Sequence, residues 1–206
     1  MHIVSNNAVT EAYFQQLIEL DQKFWPEGDP AHFPVWFQKQ LYEPDYEGIF
    51  LAVDEEKDAV EGYFNVLFPS EKAMEKYLND GSFLDLDNRR FQKGNNLLYL
   101  NTANVKEKYR GTRMFRDLAC AFASWLDEKE AQGYHVTTAY GEAVTPEGGR
   151  TASKGFGMEP MADVDEHGIG HYISRDGLKE YREKIRKSRT PPYEQLLIED
   201  GACGKP

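Results

Sequence analysis

The amino-acid sequence predicts an α/β domain in which helices and strands alternate along the chain. Three observations carry that expectation. An apolar run, Leu97-Leu98-Tyr99-Leu100, leads through a basic Arg110-Gly111 turn into an amphipathic segment, Met114 to Leu126. Two further apolar runs, Gly48 to Val53 and Val60 to Phe68, flank the charged turn Asp54-Glu55-Glu56-Lys57-Asp58 and read as a hairpin. Between and around these lie helical repeats of apolar residues at three- and four-residue spacing.

The elements follow in order. Thr10 caps a helix whose apolar positions are Tyr13, Phe14, Leu17, Ile18 and Phe24, and Trp25-Pro26-Glu27-Gly28 breaks it. A second helix places Phe33, Trp36, Phe37 and Leu41 on one side and ends before Pro44. After the hairpin, Ser70 to Asn79 reads as a short helix. Residues 69–95 as a whole read as an insertion or lid, or as a plain surface excursion. Leu97 to Val105 is a strand, 106–113 a turn and 114–131 a helix, with Met114, Phe115, Leu118, Ala119, Phe122, Trp125 and Leu126 as its buried stripe. His135 to Tyr140 is a strand, and Glu142 to Gly149 a loop in which Thr145-Pro146-Glu147 starts a helix. A last strand near His167 to Ser174 precedes a basic helix, Leu178 to Lys187. We expect one domain over 1–188 and a tail over 189–206.

Composition narrows the function. The chain has 206 residues, 40% hydrophobic and 13% aromatic, enough for a real core. Its formal charge of −11 argues against nucleic acid, which needs a basic face, and is compatible with a cationic or amine-bearing partner. No apolar run is long enough to span a bilayer, and the N-terminus lacks a signal pattern, so a cytoplasmic protein without membrane contact is expected. Cys120 lies in an apolar stripe and Cys203 in the tail, which argues against a disulfide framework. His167 and His171 are four apart, but intervening glycines oppose a helix and no third ligand is evident, so no metal is expected.

A strand, a glycine turn and a helix start form a cradle for phosphate, because N–H groups and the dipole converge on the anion. Together the strand, the Val105-to-Gly111 turn, the long helix, the next strand and Lys154-Gly155-Phe156-Gly157 resemble the GNAT superfamily of N-acetyltransferases. The resemblance implies a mixed, mostly antiparallel central sheet flanked by helices. It also implies acetyl-CoA, or another acyl-CoA, as co-substrate, and an amine of a small molecule or peptide as acceptor. The pantetheine arm would pair with the backbone at Ala103, Asn104 and Val105. The pyrophosphate would meet the N–H groups of Arg110, Gly111, Thr112, Arg113, Met114 and Phe115. Arg113 and Phe115 stand where the family has small residues, and its tyrosine before Gly-Phe is replaced by the neighbourhood of Thr151 and Ser153. A homodimer is allowed.

Direct attack on a thioester needs a base for the amine and a proton for the thiolate. Glu142 is the first candidate base. Glu61 is second, with solvent exposure the stronger expectation for it. Tyr140 and Ser153 compete as the acid, and Tyr99 and Asn101 share a face of the cofactor strand. Two other classes stay open: a GNAT-like binding or inhibitory protein without catalysis, and an acyltransferase using a longer acyl donor.

Overall fold

Seven strands lie side by side in the order β1-β2-β3-β4-β5-β7-β6, with helices against them, in a computed structural model of the chain. The structure describes residues 1–29, 32–41, 47–80, 91–162 and 170–188. The elements are β1 (His2–Ser5), α1 (Glu11–Phe24), α2 (Val35–Leu41), β2 (Ile49–Asp54), β3 (Ala59–Leu67), α3 (Glu71–Asp80), β4 (Gly94–Val105), α4 (Met114–Ala131), β5 (Tyr134–Ala143), α5 (Pro146–Arg150), β6 (Glu159–Pro160), β7 (Gly170–Ser174) and α6 (Lys179–Ser188). β4 and β5 pair in parallel, whereas β1–β2, β2–β3, β5–β7 and β6–β7 are antiparallel. This is the mixed, mostly antiparallel sheet the sequence led us to expect.

The described residues fall into two compact units, those of 1–65 with 102–124 and 188, and those of 66–101 with 125–187. In the first, the Thr10 hydroxyl accepts from the Tyr13 N–H (3.2 Å) and starts α1 as expected. β2 is buried along its whole length, and Asp54 turns the hairpin by accepting from the Glu56 N–H (3.1 Å). Phe122 of α4 sits 4.9 Å from Phe64 and 5.7 Å from Phe50, ring centre to ring centre, at the middle of this core. Asp21 is buried with Tyr63 and Gln38 as hydrogen-bond donors.

In the second unit Phe91 stacks on Phe68 (4.3 Å) and packs against Trp125 (5.3 Å). Arg182 of α6, 2% exposed, pairs with Asp127 and Glu130 of α4, whereas Lys179, Lys184, Arg186 and Lys187 of the same helix stay exposed. That pairing satisfies a charge which would otherwise be costly to bury.

His2–Ser5, for which no element was read, pairs with β2 as an edge strand too short to show a period. Two expectations change. Glu142 is not in a loop, because β5 runs on to Ala143 through its antiparallel partner β7. Glu61 does not face solvent. Of the segment read as an insertion, lid or surface excursion, residues 81–90 lie outside the described residues, as do His167 and the tail from 189.

Candidate functional site

The residues singled out from the sequence fall in both units, and each set has its own geometry. In the first unit, the end of β4 runs into the basic turn. The segment Lys106 to Arg116 carries Lys106, Lys108, Arg110, Arg113 and Arg116 against a single acidic side chain, Glu107. Among those neighbours the N–H of Lys106 donates to the Glu61 carbonyl (2.9 Å). Residues 107–109 form one 3-10 turn, and Gly111 takes φ +76° beyond it. An added Cβ at Gly111 would meet nothing within 4 Å, so this glycine is required by the backbone angle rather than by space.

Three of the six N–H groups expected to face a pyrophosphate donate within the chain. Arg110 donates to the Glu107 carbonyl (3.0 Å), Thr112 to the Tyr109 carbonyl (3.2 Å) and Met114 to the Thr112 hydroxyl (3.3 Å). The Arg113 carbonyl accepts from Asp117 (2.9 Å) and opens α4. Met114 and Val105 are buried, Ala103, Asn104, Arg113 and Phe115 half-buried, and Arg110, Gly111 and Thr112 exposed. What the turn offers an anion is therefore a basic surface more than a row of open amides. Burial pushes the Asp117 carboxyl up, with Arg113 and Arg116 opposing.

The strand alongside packs closely there. A Cβ on Gly62 would stand 2.8 Å from the Val105 side chain and 3.1 Å from the Asn104 carbonyl. Glu61, one residue earlier, is 2% exposed. Its carboxylate lies 3.0 Å from the Lys106 ammonium and 3.2 Å from that of Lys108. The second candidate base is thus answered by two cations from the turn itself. Separately, the Thr102 N–H is taken by the Asn65 side chain (2.9 Å), and the Asn104 amide nitrogen is buried with no hydrogen-bond partner among the described residues.

In the second unit, the β4–β5 ladder runs from Gly94–Tyr134 to Leu100–Gly141 and stops. The next residue of β5, Glu142, stands opposite His171 of β7 in register. One carboxylate oxygen, Oε2, accepts a short hydrogen bond from the hydroxyl of Tyr77 on α3. The Nδ1 of His171 is 3.9 Å from the same oxygen. Tyr77 and Tyr99 share a hydrogen bond (2.9 Å), and the Tyr77 ring meets both the Tyr99 and the His171 rings edge-on. Burial, then the charge of Glu142, pushes the Tyr77 hydroxyl well above its ordinary value, and burial does the same for Tyr99.

Tyr140 is half-buried two residues before Glu142, on the same face of β5 and in register with Tyr99. Ser153 lies in a single π-type turn after α5, where its hydroxyl donates to the Gly149 carbonyl (2.8 Å). The Thr145 cap of α5, read from the sequence, is present (3.0 Å to the Gly148 N–H). Tyr77 was read only as part of a short helix, and nothing local marks it. His171 was noticed for a metal pair that the sequence itself argued against. Among the described residues no group of three side chains could hold a metal ion. No helix there is long and apolar enough to cross a membrane.

No family model and no curated protein matches the chain. Solved structures do. A mosquito arylalkylamine N-acetyltransferase like 5b superposes with a TM-score of 0.57 at 12% identity, covering 84% of this chain and 98% of that one. A GNAT-like decarboxylase, GphF, in complex with isobutyryl-CoA gives 0.55 at 15% identity, covering 87% and 100%. Arabidopsis thaliana NAA60 in complex with acetyl-CoA gives 0.54 at 13% identity, covering 84% and 96%. Identities this low speak to the fold alone, and the likeness spans nearly the whole of each of these structures. The chain has the GNAT fold.

Proposed function

We propose that the chain is an acyl-CoA-dependent N-acyltransferase, moving acetyl from acetyl-CoA to an amine of a small molecule or peptide by direct attack. The observation that carries the reading is the β4–β5 ladder that stops at Leu100–Gly141 while β4 continues to Val105 and into a basic turn. A strand released from its neighbour keeps backbone donors and acceptors for another partner. The amide-bearing pantetheine arm is such a partner, at Ala103, Asn104 and Val105. Arg110 and Arg113 would supply charge-assisted contacts to the pyrophosphate at Gly111 to Phe115, which fits a turn whose amides are partly engaged. Similar structures in complex with acetyl-CoA and isobutyryl-CoA support an acyl-CoA ligand. The likeness to an arylalkylamine N-acetyltransferase supports an amine acceptor.

In this reading the proton of the incoming ammonium leaves toward the group built around Glu142. The amine lone pair then attacks the thioester carbonyl, a C–N bond forms and the C–S bond breaks. The departing sulfur takes a proton, for which Tyr140 is the candidate donor, and Tyr140 regains its proton from the attacking nitrogen as that becomes the amide. Ser153 is the weaker candidate, since its hydroxyl is committed to a helix carbonyl. The acidic overall charge suits a cationic acceptor, and the setting inferred for this reaction is cytoplasmic.

The engaged amides of Arg110, Thr112 and Met114 favour one second reading, a GNAT-like binding protein without turnover. Calorimetric titration with CoA, acetyl-CoA and a long-chain acyl-CoA, followed by thiol release with an amine panel, separates the two. Saturable binding with thiol release supports acyl transfer, and the preferred chain length names the donor. Binding without release supports the second reading, and no binding ends both acyl-CoA readings.

A further inference from the structure

Glu142 and His171 are opposite residues of two antiparallel strands, so the backbone register itself holds their side chains on one face. The ring nitrogen turned toward the carboxylate is Nδ1, 3.9 Å from Oε2 and so about 0.7 Å beyond hydrogen-bond range. A carboxylate can only accept. The charge of the carboxylate favours the neutral tautomer that carries its proton on Nδ1 and keeps a lone pair on Nε2.

Oε2 is itself held. The single proton of the Tyr77 hydroxyl goes to Glu142, so in the Tyr77–Tyr99 bond Tyr99 must be the donor. Donation thus runs from Tyr99 to Tyr77 to Glu142. The Tyr77 ring, 5.5 Å from the imidazole and at 82° to it, restricts the rotation of His171 as well. Of the two candidate proton acceptors, the imidazole side chain is 38% exposed and the carboxylate 19%.

Resting on the acyl-transfer reading, we propose that Nε2 of His171 is the atom that takes the ammonium proton, and that Glu142 is a positioning residue that sets its tautomer and orientation. The ammonium N–H bond breaks and an Nε2–H bond forms. The freed lone pair attacks the thioester carbonyl, and the C–S electron pair leaves on sulfur. The second proton of the attacking nitrogen ends on that sulfur, giving amide and thiol. The imidazolium then returns its proton to water, so each turnover releases one proton. Glu142 stabilises the imidazolium as the carboxylate of a hydrolase triad does.

The test uses the full chain and two independent readouts. Long-range proton–nitrogen NMR correlations report the His171 tautomer without any substrate. The Nδ1–H form is expected in the native protein and its loss in Glu142→Gln. For turnover, acetyl-CoA is paired with 2-phenylethylamine, spermidine or a lysine-bearing peptide, whichever releases thiol fastest. His171→Ala should lower kcat about a hundredfold, the range for a general base. The KM for acetyl-CoA should stay within about twofold, as for an interaction made in the transition state. Added imidazole should restore the rate in proportion to its concentration. An Nε2–H tautomer in the native protein, an unchanged kcat in His171→Ala, or a loss that imidazole does not rescue overturns the assignment while acyl transfer stands. Acetyl-CoA that fails to bind, or to release thiol with any of these amines, overturns the acyl-transfer reading and this assignment with it.

Discussion

Glu61 in the first unit and Glu142 in the second are both strand carboxylates withdrawn from water, and their surroundings treat them oppositely. Glu61 is answered by the ammonium groups of Lys106 and Lys108, at 3.0 and 3.2 Å. Glu142 has two tyrosines and an imidazole in its group, and among the described residues no lysine or arginine pairs with it. A carboxylate closed by two cations organises the turn that bears them. One held by neutral donors keeps its charge available to a neighbouring imidazole. The comparison teaches that burial alone does not mark a reactive group; what neutralises it does.

The largest expected effect tests the closed half. Replacing both Lys106 and Lys108 by Met strands the Glu61 charge on a buried strand. Denaturant unfolding should show a loss of about 3 kcal/mol, the scale for a buried charge left without its partner. A loss below about 1 kcal/mol, the value of surface pairs, would mean that the two lysines are dispensable. Next comes the ligand. Arg110→Ala should weaken CoA binding by about 1.5–3 kcal/mol in calorimetry, the range for hydrogen bonds to charged groups, and unchanged affinity would move the cradle elsewhere.

The open half is probed by Tyr77→Phe, which removes the donor to Glu142 and should cost about 1.5 kcal/mol at neutral pH. Its pH dependence is more telling. The folded state raises the Tyr77 and Tyr99 hydroxyls above the ordinary value of 10.0. Folded protein therefore holds these protons longer than unfolded protein does. Their contribution is fully present below about pH 10 and is lost as pH climbs above it. Tyr77→Phe should flatten that alkaline decline, and an unchanged slope would mean the hydroxyl is not held as described. Smallest is Gly111→Ala. With φ +76° and open space around the added Cβ, only backbone strain is introduced, about 1 kcal/mol. A larger loss would reveal a contact at the turn.

The two halves also differ in how far they could be read in advance. The turn is local: Tyr109 bonds to Lys106, Arg110 to Glu107 and Thr112 to Tyr109, all three residues apart, so a short string of letters announces it. The start of α4 and the caps at Thr10 and Thr145 were legible for the same reason. The Glu142 group joins α3, β4, β5 and β7, with Tyr77 and Glu142 65 positions apart. Glu142 was singled out as a candidate while the end of β5 that carries it was read as the start of a loop, because only pairing with β7 keeps it extended. Glu61 stood out as a charge among apolar residues, but its partners come 45 and 47 positions later.

What the sequence determined by itself was the order of the main strands and helices from Thr10 onward, the basic glycine turn and the α/β class of fold. Each of these follows from spacing and from backbone preferences within a few residues. The tertiary structure alone decided which groups surround the two carboxylates. A charge is tuned by whatever folding brings within a few ångströms of it, and Coulomb and desolvation energies depend on that distance, not on separation along the chain.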